Sequence, residues 1–169
     1  FLSMVASTRQ FTSNLSQVVL SDSSSFSGGA FSCIGGSLQL HTMSSSGSIA
    51  ETDGGFLGAR SGCVAELRGV SMSNAAANTG QGGAIFARGA HTAIMFKESV
   101  LVDDATAPQG GCVFAADGAA MQLSSANVSF FACVATFSHG GALQLLSAAL
   151  TLVNSNLTVV ESLSTGSGS

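Results

Sequence analysis

A doublet of glycines returns five times along this chain, each time opening the same short phrase. The phrases are Gly28-Gly29-Ala30-Phe31, Gly54-Gly55-Phe56-Leu57, Gly82-Gly83-Ala84-Ile85, Gly110-Gly111-Cys112-Val113 and Gly140-Gly141-Ala142-Leu143. They lie 26, 28, 28 and 30 residues apart. Self-similarity at a period of this size belongs to solenoids, in which one short unit stacks on the next. Each period holds three short apolar pieces with period-two alternation, separated by Gly, Ser, Ala and Asn, and no helical stripe runs through them. Such pieces read as strands. Three strands per turn predict an all-β chain: a parallel β-helix of about five to six coils, each strand paired with its equivalent roughly 4.8 Å along the axis. Parallel crossovers are strongly biased to the right hand, which predicts a right-handed helix.

Columns follow from the repeat. Phe31, Leu57, Ile85, Val113 and Leu143 fall at one place, and Cys33, Ala59, Ala87, Ala115 and Leu145 two residues on; both are predicted to face inward. The alternating neighbours Ser32, Gly58, Phe86, Phe114 and Gln144 are predicted to face outward, which makes Phe86 and Phe114 a candidate contact surface. The doublets are expected where the chain packs too tightly for a Cβ. Residues 1–27 read as a partial coil ahead of repeats starting at 28, 54, 82, 110 and 140, with 1–169 a single solenoid segment. The second coil fits least well, because Arg60, Glu66 and Arg68 interrupt it. The chain starts at Phe1 and stops in Thr165-Gly166-Ser167-Gly168-Ser169 with no polar cap at either end, so it is expected to be a piece of something longer.

Gly82-Gly83-Ala84-Ile85 reproduces the GGAI half of the tandem motif of chlamydial polymorphic outer membrane proteins, and the repeat resembles theirs and related repeats of some eukaryotes. The companion motif of that family is FxxN followed by Ala; Phe130-Phe131-Ala132-Cys133-Val134-Ala135 keeps the Phe and the final Ala and has Cys in place of Asn. The resemblance implies a right-handed β-helix and a passenger-type segment that is extracellular or at the cell surface. The alternative location is inside an intracellular or organellar assembly.

Composition narrows the function. Only 8% of the residues are charged, against roughly 25% in an average domain. With 40 Ser and Thr, the exterior must be mainly hydroxyls, Ala and Gly. A net charge of −4, no basic patch, no Tyr and no Trp give no support for nucleic-acid binding. No apolar run reaches the length of about 18 residues needed to span a membrane.

Few residues suggest chemistry. Asp103-Asp104 and His139-Gly140 resemble the paired acids and HG element of polygalacturonase-type β-helix hydrolases, where two carboxylates act on a glycosidic bond. The neighbouring coils offer Ala or Ser at the matching places, so Asp103-Asp104 reads as a solvated turn and no catalysis is expected. His41, His91 and His139 fall at unrelated places, so no metal site is expected, and the glycines lack the patterns of phosphate loops, so no cofactor is either. Cys33, Cys63, Cys112 and Cys133 occupy four different places in the repeat, which argues against a ladder disulfide and predicts free thiols. Asn14-Leu15-Ser16, Asn127-Val128-Ser129 and Asn156-Leu157-Thr158 are N-x-[ST] acceptors, and their recurrence at one repeat position also suits an Asn that bonds backbone in a turn.

The favoured expectation is a non-catalytic structural or adhesive segment, in contact with other proteins or with adjoining coils of a longer chain. A scaffold or linker subunit in a multi-protein assembly is the alternative. An ice-binding protein, with Ser24, Ala50, Asn78, Thr106 and Thr136 as its hydroxyl column, and a polysaccharide-active enzyme come behind.

Overall fold

In a computed structural model of the protein, residues 2–5, 12–137 and 140–165 are described. Every strand among them pairs in parallel, none of them is helical, and the chain winds as a β-solenoid of about five turns. The strand after each glycine doublet joins the first sheet: Phe31–Ile34, Leu57–Arg60, Ile85–Arg88, Val113–Ala116 and Leu143–Leu146, with Leu2–Val5 at its edge. The second and third apolar pieces of a coil do not form separate strands in the middle of the rod. They run on as single long strands, Ser37–Ser46, Val64–Ala77, Ala93–Ala107 and Ala120–Phe131, and build the second sheet.

The predicted inward columns are the observed ones. Phe31, Leu57, Ile85, Val113 and Leu143 are successive register partners, as are Cys33, Ala59, Ala87, Ala115 and Leu145. The first four of each set are buried, and the Leu143 and Leu145 pair is half-buried. On the second sheet Leu40, Leu67, Phe96 and Leu123 form a third such column, each essentially without exposure.

Long strands turn the corner of a coil by single residues in the left-handed region. Thr42, Gly69, Glu98, Ser125 and Asn154 make one column of bends, and Gly47, Asn74, Asp104, Ala132 and Glu161 another, with φ between 47° and 69°. Most of these are not glycine, and a Cβ at such a φ costs roughly 1–2 kcal/mol. The pairing register changes step at the first bend: Lys97 to Val100 spans Arg68 to Val70, and Phe96 to Glu98 spans Leu123 to Ala126. Pairing resumes in step beyond each irregularity.

The doublet has two distinct jobs. Its first glycine is a further left-handed bend, with φ of 68° at Gly82. At the second, two walls of the same coil meet backbone to backbone. A Cβ on Gly83 would lie 2.6 Å from Thr106 N and 2.7 Å from Thr106 O, and would also strike the Gly111 carbonyl of the next coil. Ile49, Ala76, Val134 and Leu163 oppose Gly29, Gly55, Gly111 and Gly141 in the same way. The cross-section is pinched along this line, with no side chain between the walls.

The register also corrects one expected column. Thr106 pairs with Ala76 and Val134, and Ser24 with Ile49. Unequal corner lengths therefore bring together Ser24, Ile49, Ala76, Thr106 and Val134, not Ser24, Ala50, Asn78, Thr106 and Thr136. The rank holds only two hydroxyls and forms the wall facing the second glycine.

Three substitutions separate these roles. Gly83→Ala should destabilise by more than the roughly 1–3 kcal/mol usual for overpacking, because backbone must yield. Ile85→Ala should cost roughly 2–5 kcal/mol as a core truncation. Ala132→Gly should stabilise by up to about 1 kcal/mol by relieving a left-handed alanine. Urea midpoints of the three variants against the parent measure all of this.

Candidate functional site

The outer face of the first sheet carries one set of interacting side chains. Phe86 and Phe114 are register partners on adjacent coils, and their rings stack with centroids 5.8 Å apart and planes 3° from parallel. They form a small cluster with Ala116, separate from the main core, as an outward direction requires. Their expected role as a contact surface does not hold in that form, because each is only 1% exposed. The Arg60 guanidinium lies 4.8 Å from the Phe86 ring centroid, and its Nη2 donates to Asp53 Oδ2 at 2.5 Å.

Beside the stack runs an open polar groove of about 370 Å³, bordered by Asp53, Gln81, Arg88 and Gln109. The side chains here are engaged with one another. Asp53 Oδ1 accepts from the Gln81 backbone N–H at 2.9 Å, Gln81 Nε2 donates to Gln109 Oε1 at 3.0 Å, and Arg88 Nε donates to Asp117 Oδ2 at 2.6 Å. Both oxygens of Asp53 are occupied, so the carboxylate acts as a brace between coils.

An ionic cluster that sequence reasoning registered only as interruptions sits on the outer face of the second sheet. Strict alternation puts Glu66 and Arg68 outward, on either side of inward Leu67, and their coil neighbours are Met95 and Lys97. Lys97 Nζ lies 2.9 Å from Glu66 Oε2, Arg68 Nη2 3.2 Å from Glu66 Oε1, and Arg68 Nη1 3.1 Å from Glu98 Oε1. His41 Nε2 is 3.8 Å from Glu66 Oε1. Burial alone pushes the Glu66 carboxyl up; hydrogen bonds and charge from Lys97 and Arg68 outweigh it, and the group lies below its ordinary value of 4.5. The described Lys and Arg side chains, Arg60, Arg68, Arg88 and Lys97, are all in ion pairs.

No known protein family, curated protein or solved structure matches this chain. Its own geometry therefore carries the reading of the residues picked out from sequence. Asp104 is one of the left-handed bends of its coil, and Asp103 is exposed between Ser73 and Phe131, with no second carboxylate in register on either side. His139 lies outside the described residues. His91 is an exposed bend residue, and the described residues contain no group of three or more metal-ligating side chains. The described residues form no helix, and so none long and apolar enough to cross a membrane. Asn127 and Asn156 share a column, but Asn14 does not: it pairs with Gln39, ahead of the bend that Asn127 follows.

The cysteines depart most from expectation, for they are not free thiols. Cys33 bonds to Cys63 and Cys112 to Cys133, with Cα–Cα distances of 5.8 Å and 5.2 Å, and all four are fully buried. Column position tests only partners stacked along the axis. Cys33 instead reaches the corner that follows the first strand of the next coil. Cys112 and Cys133 join across the interior of one coil, immediately after Gly111 and before Val134, so this bond clamps the pinch. With sequence separations of 30 and 21, each bridge is worth about 3–4 kcal/mol in the chain-entropy account.

The Glu66 cluster predicts an acid-side loss of stability. A carboxyl depressed in the folded state binds fewer protons there than in the unfolded chain, so its contribution is complete above the ordinary value and fades as pH falls through the folded one. Glu66→Gln should remove about 1 kcal/mol near neutrality, the upper end for pairs whose cations stay a third exposed, and flatten the decline below pH 5. Urea titrations at a series of pH values test both halves.

Proposed function

We propose that this chain is a non-catalytic structural segment of a secreted or cell-surface protein, a stiff β-helical spacer with an adhesive or presenting role. The observation that carries the reading is the pair of interior disulfides, one joining two coils and one closing a coil on itself. Such bonds form and persist in oxidising compartments, outside the reducing cytosol. The GGAI phrase and its likeness to the repeats of chlamydial polymorphic outer membrane proteins point the same way. Arg68, Arg88 and Lys97 each brace adjacent coils through an ion pair, which suits a rod built for stiffness rather than for turnover.

A second reading, a scaffold or linker subunit within an assembly, is favoured by Phe26 and Phe137. Both are large apolar side chains in the loops ahead of glycine doublets, 73% and 82% exposed. Under this reading they are covered by a neighbouring protein.

The tests are direct. Protein isolated from its natural source and unfolded without reductant should present no reactive thiol, and all four of its cysteines should label after reduction. Four labelled thiols before reduction would overturn the secreted reading. The same protein should release no reducing ends from polygalacturonate; turnover abolished by Asp103→Asn with Asp104→Asn would make it an enzyme.

A further inference from the structure

Two of the three sequons are stacked directly on one another, and this arrangement constrains what can be attached to them. Asn127 and Asn156 are register partners on adjacent coils, both exposed, and Asn156 Nδ2 donates to Asn127 Oδ1 at 3.0 Å. Each is followed by an inward residue, Val128 or Leu157, and then by an outward hydroxyl, Ser129 or Thr158, themselves paired. Both sequons thus present their Asn on one outer face, where the folded chain has room for an attached glycan.

We propose that Asn127 and Asn156 are alternative acceptors of a single N-linked glycan, so that folded molecules carry one oligosaccharide on this pair and never two. The proposal rests on the reading of the chain as secreted. In the reaction Nδ2 loses a proton and forms a bond to the anomeric carbon of the sugar. The bond from that carbon to the lipid diphosphate of the activated donor breaks, and the diphosphate leaves with the electron pair. The substituted Nδ2 keeps one N–H and the amide oxygen is untouched, so a single attachment on either residue leaves a donor and an acceptor for the hydrogen bond between the two side chains.

A second attachment does not fit. Neighbouring strands are about 4.8 Å apart, and a branched oligosaccharide is several times wider than that. Two glycans rooted on hydrogen-bonded amides would have to displace Asn156–Val160 from Ala120–Phe131. Attachment precedes folding, so doubly modified chains arise and then fail to close this part of the last described coil. Asn14, in register with Gln39, lies outside the competition.

The experiment uses Asn14→Gln protein made in the secretory pathway of a eukaryotic cell, with each glycan trimmed to one N-acetylglucosamine and counted by intact mass. Microsomal and secreted fractions are counted separately. One sugar is expected per secreted molecule, on either asparagine by peptide mapping, and Asn127→Gln and Asn156→Gln should each still carry one. Folded secreted protein with two sugars overturns the exclusion. A single variant left bare overturns the interchange, and no sugar in any version overturns the site. Failure of the secreted reading itself registers separately, as free thiols in the protein from its natural source.

Discussion

Everything in this rod depends on the line where two walls of each coil touch with no side chain between them. At Gly83 that contact is with Thr106 of the same coil, and the carbonyl of Gly111 closes the space above. A solenoid with a round interior could tolerate any small residue there. This one cannot, because the pinch fixes how far apart the two sheets stand and so which side chains fill the remaining space. Large residues such as Phe96 and Phe130 occupy the wide part of the section, while Ala59, Ala87 and Ala115 line the first sheet. Cys112–Cys133 sits at the margin of the pinch and holds it covalently.

The exterior follows a different rule. With only 8% charged residues, the chain places its few ions where they join one coil to the next: Arg68 with Glu98, Lys97 with Glu66, Arg88 with Asp117. Exposed ion pairs contribute little singly, and networks contribute more. Amide side chains repeat the pattern, with Gln81 on Gln109 and Asn156 on Asn127. Hydroxyls do the same at Thr79, which donates to the Glu51 carbonyl of the preceding coil at 2.8 Å. Polar groups of every kind are thus used along the axis, which is also the direction of the backbone hydrogen bonds.

The inward columns were legible in the sequence because the distance from doublet to first strand is constant, so counting from Gly82 or Gly110 lands on Ile85 or Val113 in the same place. Further from the doublet counting fails. Extra residues enter at the corner ahead of Ala93 and at the bend near Glu98, and by Thr106 the expected partner Asn78 has been replaced by Ala76. The outward direction of Phe86 was legible from alternation, but its burial was not, since Arg60 covers it from a neighbouring coil after pairing with Asp53. The disulfides were hidden for a third reason. Stacking order says nothing of what meets across the interior, and Cys112 and Cys133 meet there only because the section is narrow.

Cys33–Cys63 also changes how the rod answers a pull along its length. The bonds between coils all run parallel to the axis, so an end-to-end force loads them directly, and a coil that lets go pays out its whole thread. A freed stretch of 30 residues, the separation of this pair, could lengthen the molecule by about 100 Å. The bridge ties the coil starting at Gly28 to the next one and short-circuits that slack. Under tension this junction behaves as a fixed link, while coils that hold no disulfide are free to unwind.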